Sequence, residues 1–153
     1  MNRITITRDI LRFAVISLLA LTMATPAYVA AQEKAAAANE QSQLAKKLLG
    51  TWILVGKPGE VGEPPAKGGR LQFYTGRHWL ITQADPETGE VIFHHGGTYT
   101  LDGDELVKTV EYANQNTAPL IKQAHKFKME VDGDTLTQTG IGNPWTEVWK
   151  RVK

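Results

Sequence analysis

Residues His94 to Tyr112 read HHGGTYTLDGDELVKTVEY, two runs of β-branched and aromatic residues joined at Asp102-Gly103-Asp104. Asp-Gly supplies the positive φ that a tight hairpin turn needs, and Val107, Thr109, Val110 and Tyr112 suit a pleated, half-buried surface. The stretch therefore reads as a β-hairpin, with the Gly96-Gly97 pair marking a bend or bulge in its first strand. The same turn chemistry returns at Val131-Asp132-Gly133-Asp134-Thr135-Leu136. Antiparallel hairpins are thus the repeating unit of the chain.

Working outward, strands are expected at Gly50–Val55, Arg70–Thr75, Arg77–Ala84, Glu90–Leu101, Glu105–Tyr112, Gln123–Val131, Thr135–Gly140 and Trp145–Val152. Eight antiparallel strands with short connections predict an all-β, up-and-down barrel, which removes exposed edges and can enclose one small ligand. A β-sandwich matches the strand count, but long crossover connections are not evident. Glu40–Leu49 carries Leu44, Leu48 and Leu49 at helical spacing, with Lys46 and Lys47 ahead of the stop signal Gly50, and predicts a short helix on the barrel end. Lys57–Gly69 has three prolines and four glycines in thirteen residues. It cannot sustain a ladder and is long enough to form a flap over a cavity mouth.

The N-terminal stretch has a different character. Arg3, Arg8 and Arg12 precede an apolar run from Phe13 to Met23, and small residues follow through Ala31, the order of a secretory signal peptide cleaved before Gln32. The apolar run is short of the roughly 20 residues that cross a bilayer, so no permanent membrane anchor is expected. The predicted organisation is a signal peptide over 1–31, an alanine-rich linker over 32–39 and a barrel domain over 40–153, in a secreted or periplasmic protein.

With no cysteine in the chain, disulfides cannot stabilise it in that compartment, and a hydrophobic core with a closed hydrogen-bond ladder must. Cleavage takes three of the 17 Lys+Arg and one of the 16 Asp+Glu, leaving 14 against 15. A nearly neutral mature chain gives no electrostatic case for nucleic acid or an anionic membrane surface.

Leu48-Leu49-Gly50-Thr51-Trp52, followed by eight strands, resembles the lipocalin-like proteins of the calycin group, whose first strand opens with Gly-x-Trp after a short helix. Gly97-Thr98-Tyr99-Thr100-Leu101-Asp102-Gly103-Asp104, Glu111-Tyr112, Asp134-Thr135-Leu136-Thr137 and Glu147-Val148-Trp149-Lys150-Arg151 resemble a family of small bacterial secreted lipocalin-like proteins, largely uncharacterised. The resemblance implies that Arg151 packs over Trp52 and bonds to nearby backbone, closing one barrel end. Its rival is Trp52 as a ligand platform.

Side chains alternate along a strand, which puts His125, Phe127, Met129 and Val131 on one face, the expected interior, and Trp145, Glu147 and Trp149 on another. Glu147 then points inward and needs a partner, or sits wet at the rim. In the 94–112 hairpin, a two-residue turn at Asp102-Gly103 sets His94 opposite Glu111, and a three-residue turn sets His95 there. Such a pair could do acid–base work, or be a surface cross-strand contact. Adjacent histidines point to opposite faces, and nothing in the spacing of His78, His94 and His125 demands zinc or haem; no cofactor or metal is expected. Ser17 and Ser42 are the only serines. No Gly-x-Ser-x-Gly elbow, phosphate-binding glycine loop or cysteine nucleophile is present.

The ten aromatic residues after position 31, interleaved with a few polar groups, form the kind of lining that pockets use. The expected guest is a small hydrophobic or amphipathic molecule, with Tyr74, His78, Tyr99, Glu111, His125, Phe127 and Trp149 as cavity residues. The alternatives are a barrel enzyme of isomerase or cyclase type using a His–Glu111 pair, and an interaction or inhibitor module of the cell envelope.

Overall fold

A computed structural model describes residues 26–153. Helix α1 (Pro26–Leu48) leads into β1 (Gly50–Lys57), a two-residue β2 (Glu60–Val61), β3 (Arg70–Thr75), β4 (His78–Ala84), β5 (Val91–Asp102) and β6 (Glu105–Ala113). A single 3-10 turn (Ala118–Leu120) then precedes β7 (Ala124–Asp132), β8 (Thr135–Ile141) and β9 (Glu147–Arg151). Each strand from β3 onward pairs antiparallel with the next, β1 pairs with β3, and β9 returns to β1 with Trp52 opposite Arg151. This last pairing closes an eight-stranded antiparallel barrel, with β2 a short ribbon hung on the end of β1. Closure leaves no barrel strand with an open ladder edge, which a chain without cysteine requires.

The expected short helix begins earlier than its apolar spacing suggested. α1 runs through Gln32–Asn39, the stretch read as a linker, because its alanines are the strongest helix formers and no glycine or proline interrupts them. Most of the predicted signal peptide lies outside the described residues. Among the described residues, no helix is long and apolar enough to cross a membrane.

Both Asp-Gly turns are two-residue loops in which glycine comes first: Asp102 pairs with Glu105 around Gly103-Asp104, and Asp132 with Thr135 around Gly133-Asp134. Gly103 and Gly133 take φ of 58° and 55°, the conformation that a type II′ turn demands at its first central position. In β5 the ladder shifts between Gly96 and Gly97, a bulge that only glycine permits. A Cβ on Gly96 would stand 2.6 Å from the Trp79 carbonyl, and one on Gly97 would collide with that of Thr109.

The barrel has two unlike ends. Leu48, wholly buried, inserts from the last turn of α1 under the core. Trp52 Nε1 donates to its carbonyl at 2.9 Å. The Arg151 guanidinium lies 4.1 Å over the Trp52 ring and donates to the carbonyls of Lys47 (2.6 Å) and Leu49 (2.8 Å). Cationic nitrogens thereby satisfy carbonyls that a helix C-terminus leaves free. The opposite end is framed by the starts of β3, β5, β7 and β9 and the connections between them.

Candidate functional site

Alternation along the strands stacks the interior in layers. Tyr74, Leu106, Met129, Leu136 and Trp149 form an apolar floor, each at most 2% exposed. Two residues further toward the open end on β3, β6, β7 and β8 come Gln72, Lys108, Phe127 and Gln138. Above them stand Arg70, Phe93, His125 and Glu147. These upper layers, with Trp79, Ile81, His95, Leu120 and Trp145, enclose a cavity of about 250 Å³.

Lys108 is the centre of the site. Its side chain crosses the barrel from β6, and Nζ donates to Gln72 Oε1 on β3 (2.7 Å) and Gln138 Oε1 on β8 (2.6 Å). The rings of Tyr74, Trp79 and Phe127 surround the nitrogen at 4.8 to 5.3 Å, and cation–π attraction stabilises the charge. Burial still outweighs this, lowering the Lys108 pKa to about 7 against a modest pull upward from Glu147.

Gln138 is held from both sides, since its Nε2 donates to Glu147 Oε2 at 3.1 Å. Glu147 Oε1 lies 3.7 Å from Arg70, whose guanidinium sits 4.4 Å over the Phe93 ring and donates through Nε to Gln83. Burial raises the Glu147 pKa, with Lys108 and Arg70 pulling it back down. Of the two positions open to Glu147, the structure takes the inward, partnered one.

The two histidines on the wall are kept neutral. Burial, then Lys108, lowers His95 to about 4, and the same two causes lower His125. His95 packs edge-on against Trp79 and Phe93, and His125 against Trp145. Gln72 Nε2, His95 Nδ1 and His125 Nε2 on the wall are buried without a hydrogen-bond partner among the described residues, as are the Tyr74 hydroxyl and Trp149 Nε1 in the floor beneath. Buried polar groups are normally paired, so three such atoms around one cavity are a signature of a site prepared for something else.

Of the residues expected to line the cavity, His125 and Phe127 do. Tyr74, Tyr99 and Trp149 point inward but lie in or beside the floor, with Tyr74 and Tyr99 edge to face at 5.4 Å. His78 is exposed, because Trp79 and Ile81 take the inner face of β4 and leave His78, Leu80 and Thr82 on the other. Glu111 is also outside. The actual turn sets Thr98 opposite Thr109, and the glycine bulge then shifts the ladder, leaving Glu111 unpaired and bonded to Thr98 Oγ1 at 2.6 Å. His95 faces Ala113 instead, so the His–Glu111 pair is not formed.

The Lys57–Gly69 loop is not a flap over the cavity. It folds against the outer face of the barrel, where Pro65 and Gly69 cover Ile53 and Leu71. The mouth is bordered by Leu120 and Trp145, from the connections after β6 and β8. Among the described residues, no three histidines and carboxylates gather to hold a metal ion.

Arg70, Gln72, Lys108 and Gln138 were missed by sequence reasoning, though the signal was there. In Glu105–Tyr112 the buried parity is Leu106, Lys108, Val110, and a lysine between two core positions is the clue.

Among solved structures, a lipocalin-like protein from Bacteroides uniformis superposes with a TM-score of 0.51 at 14% identity, over 69% of this chain and 99% of its own. The fold is lipocalin-like. An uncharacterised protein from Bacteroides eggerthii gives a TM-score of 0.49, also at 14% identity and over 69% of this chain and 99% of its own. No protein-family model and no curated protein matches the chain. Identity this low speaks for the lipocalin-like architecture and leaves the task of the cavity to its own chemistry.

Proposed function

We propose that this chain is an exported binding protein that holds a compact, partly apolar molecule in the open end of its barrel. The observation that carries the reading is the cavity itself: apolar walls of Trp79, Ile81, Phe93, Phe127 and Trp145, with unpartnered polar atoms on Gln72, His95 and His125. Pockets for small molecules combine such walls with a few placed polar groups. At about 250 Å³ the space is below the roughly 300–1,000 Å³ typical of drug-sized ligands, which favours a compact guest over a long lipid chain.

Export rests on the order of charge, apolar run and small residues before Gln32. Cleavage there would leave Gln32–Leu48 as the helix over the closed end. N-terminal sequencing of the protein from its own host is expected to begin at Gln32; an intact Met1 would remove export from the proposal. Native mass spectrometry of the same preparation is expected to show a bound small molecule released on unfolding. A bare mass, together with a cavity that admits no added compound, would overturn the binding reading.

A further inference from the structure

Resting on the binding reading, the hydrogen-bond inventory of the cavity narrows the class of guest. The amide oxygens of Gln72 and Gln138 both accept from Lys108, and the Glu147 oxygens face Gln138 and Arg70. The acceptors are therefore engaged. On the cavity wall, what remains unpartnered is nitrogen: Gln72 Nε2, which only donates, and His95 Nδ1 and His125 Nε2, each of which donates in one tautomer and accepts in the other; the Tyr74 hydroxyl and Trp149 Nε1, also unpartnered, lie in the floor beneath.

Charge points the same way. Arg70 and Glu147 face each other, whereas Lys108 has amide oxygens and aromatic faces around it and no carboxylate at ion-pair distance among the described residues. A wall with a surplus of donors, on which two cations, Arg70 and Lys108, share the single carboxylate of Glu147, is complementary to an anion. Aromatic and aliphatic walls around it suit an organic acid better than a strongly hydrated inorganic ion.

We propose that the guest is a compact aromatic carboxylate, its ring between Trp79, Phe93 and Phe127 and its carboxylate on Lys108. Binding then restores full charge to the ammonium and takes up protons from neutral to alkaline solution. The charged and titratable groups around Lys108 are Arg70 and Tyr74 on β3, His95 on β5, His125 on β7 and Glu147 on β9.

The test compares benzoate with benzamide, which has the same outline but is uncharged and presents an NH2 donor in place of one of the carboxylate oxygens. Titration calorimetry at pH 8 in two buffers of different ionisation enthalpy reads affinity and proton uptake together. A charged hydrogen bond of this kind is worth about tenfold or more in affinity, so benzoate should bind about that much tighter than benzamide and draw protons from buffer. Lys108→Met should abolish both the preference and the proton uptake. Gln72→Met, which keeps the lysine but removes a wall donor and one of the lysine's two amide acceptors, should weaken benzoate by about threefold and keeps the proposal testable should Lys108→Met fail to fold. Equal affinity for the two compounds, or a benzoate affinity indifferent to both substitutions, overturns the carboxylate assignment while the binding reading stands. If neither compound binds, the aromatic-carboxylate assignment falls, and the native mass measurement alone decides the binding reading.

Discussion

The two ends of this barrel use the same ingredients, a cation against an indole, to opposite effect. At the closed end Arg151 lies over Trp52 at 4.1 Å and donates to the carbonyls of Lys47 and Leu49, so the guanidinium and the carbonyls at the end of α1 satisfy one another. At the open end Lys108 lies 4.9 Å from Trp79, between two glutamines that it only partly satisfies, beside a cavity of about 250 Å³. Guanidinium suits the first role because it keeps its charge and spreads its donors in a plane. An ammonium suits the second because its charge responds to its surroundings. The difference teaches where stability and where function reside: the satisfied end holds the fold together, and the unsatisfied end is free to be completed.

Substitutions should separate the ends accordingly. Trp52→Ala deletes a wholly buried indole and is expected to cost about 3–5 kcal/mol in urea unfolding. Arg151→Met keeps the apolar stem and loses the stacked charge and two carbonyl bonds, an expected loss of about 1–2 kcal/mol with guest affinity unchanged. A loss of binding without a loss of stability in either variant would erase the contrast.

The open end should reveal itself through pH. Lys108 titrates at about 7 in the folded chain against its ordinary 10.5, so between those values the unfolded chain holds more proton. Stability should therefore rise from pH 7 toward 10, by up to about 1.4 kcal/mol per pH unit, and Lys108→Met should flatten the rise. His95, lowered from 6.5 to about 4, works in an acid window with the same sign: stability falls as pH drops from 6.5 to 4. Thermal melts across pH 4 to 10 check both. At the bottom of the scale, Lys126→Ala breaks an exposed pair with Glu105 and should change stability by less than about 0.5 kcal/mol.

Much of the architecture was legible in the chain. Hairpin turns, the glycine bulge, Gly-x-Trp and the parity of His125, Phe127, Met129 and Val131 are local signals, and the eight-stranded barrel obeys them. The site was harder to read for two physical reasons. The turn falls at Gly103-Asp104, one residue later than Asp102-Gly103, which already sets Glu111 across from Gly96 and not from either histidine, and the bulge then shifts the ladder once more. A ligand cavity also reverses the usual sorting of polar residues: in β3 it is Arg70, Gln72 and Tyr74 that face inward, while the more hydrophobic-looking Leu71 and Phe73 take the other face. Polarity alone cannot separate a strand's wet side from a barrel's polar lumen. The loop at Lys57–Gly69 shows the same effect, being drawn to the apolar outer residues Ile53 and Leu71 and not to the mouth.

The four tryptophans offer the most direct test, because each indole N–H gives its own signal in a nitrogen–proton NMR spectrum. On titration with benzoate, the account predicts that Trp79 and Trp145, on the cavity wall, move progressively while Trp52, beneath Arg151, stays still. Shifts confined to Trp52, or none at saturating benzoate, would contradict it.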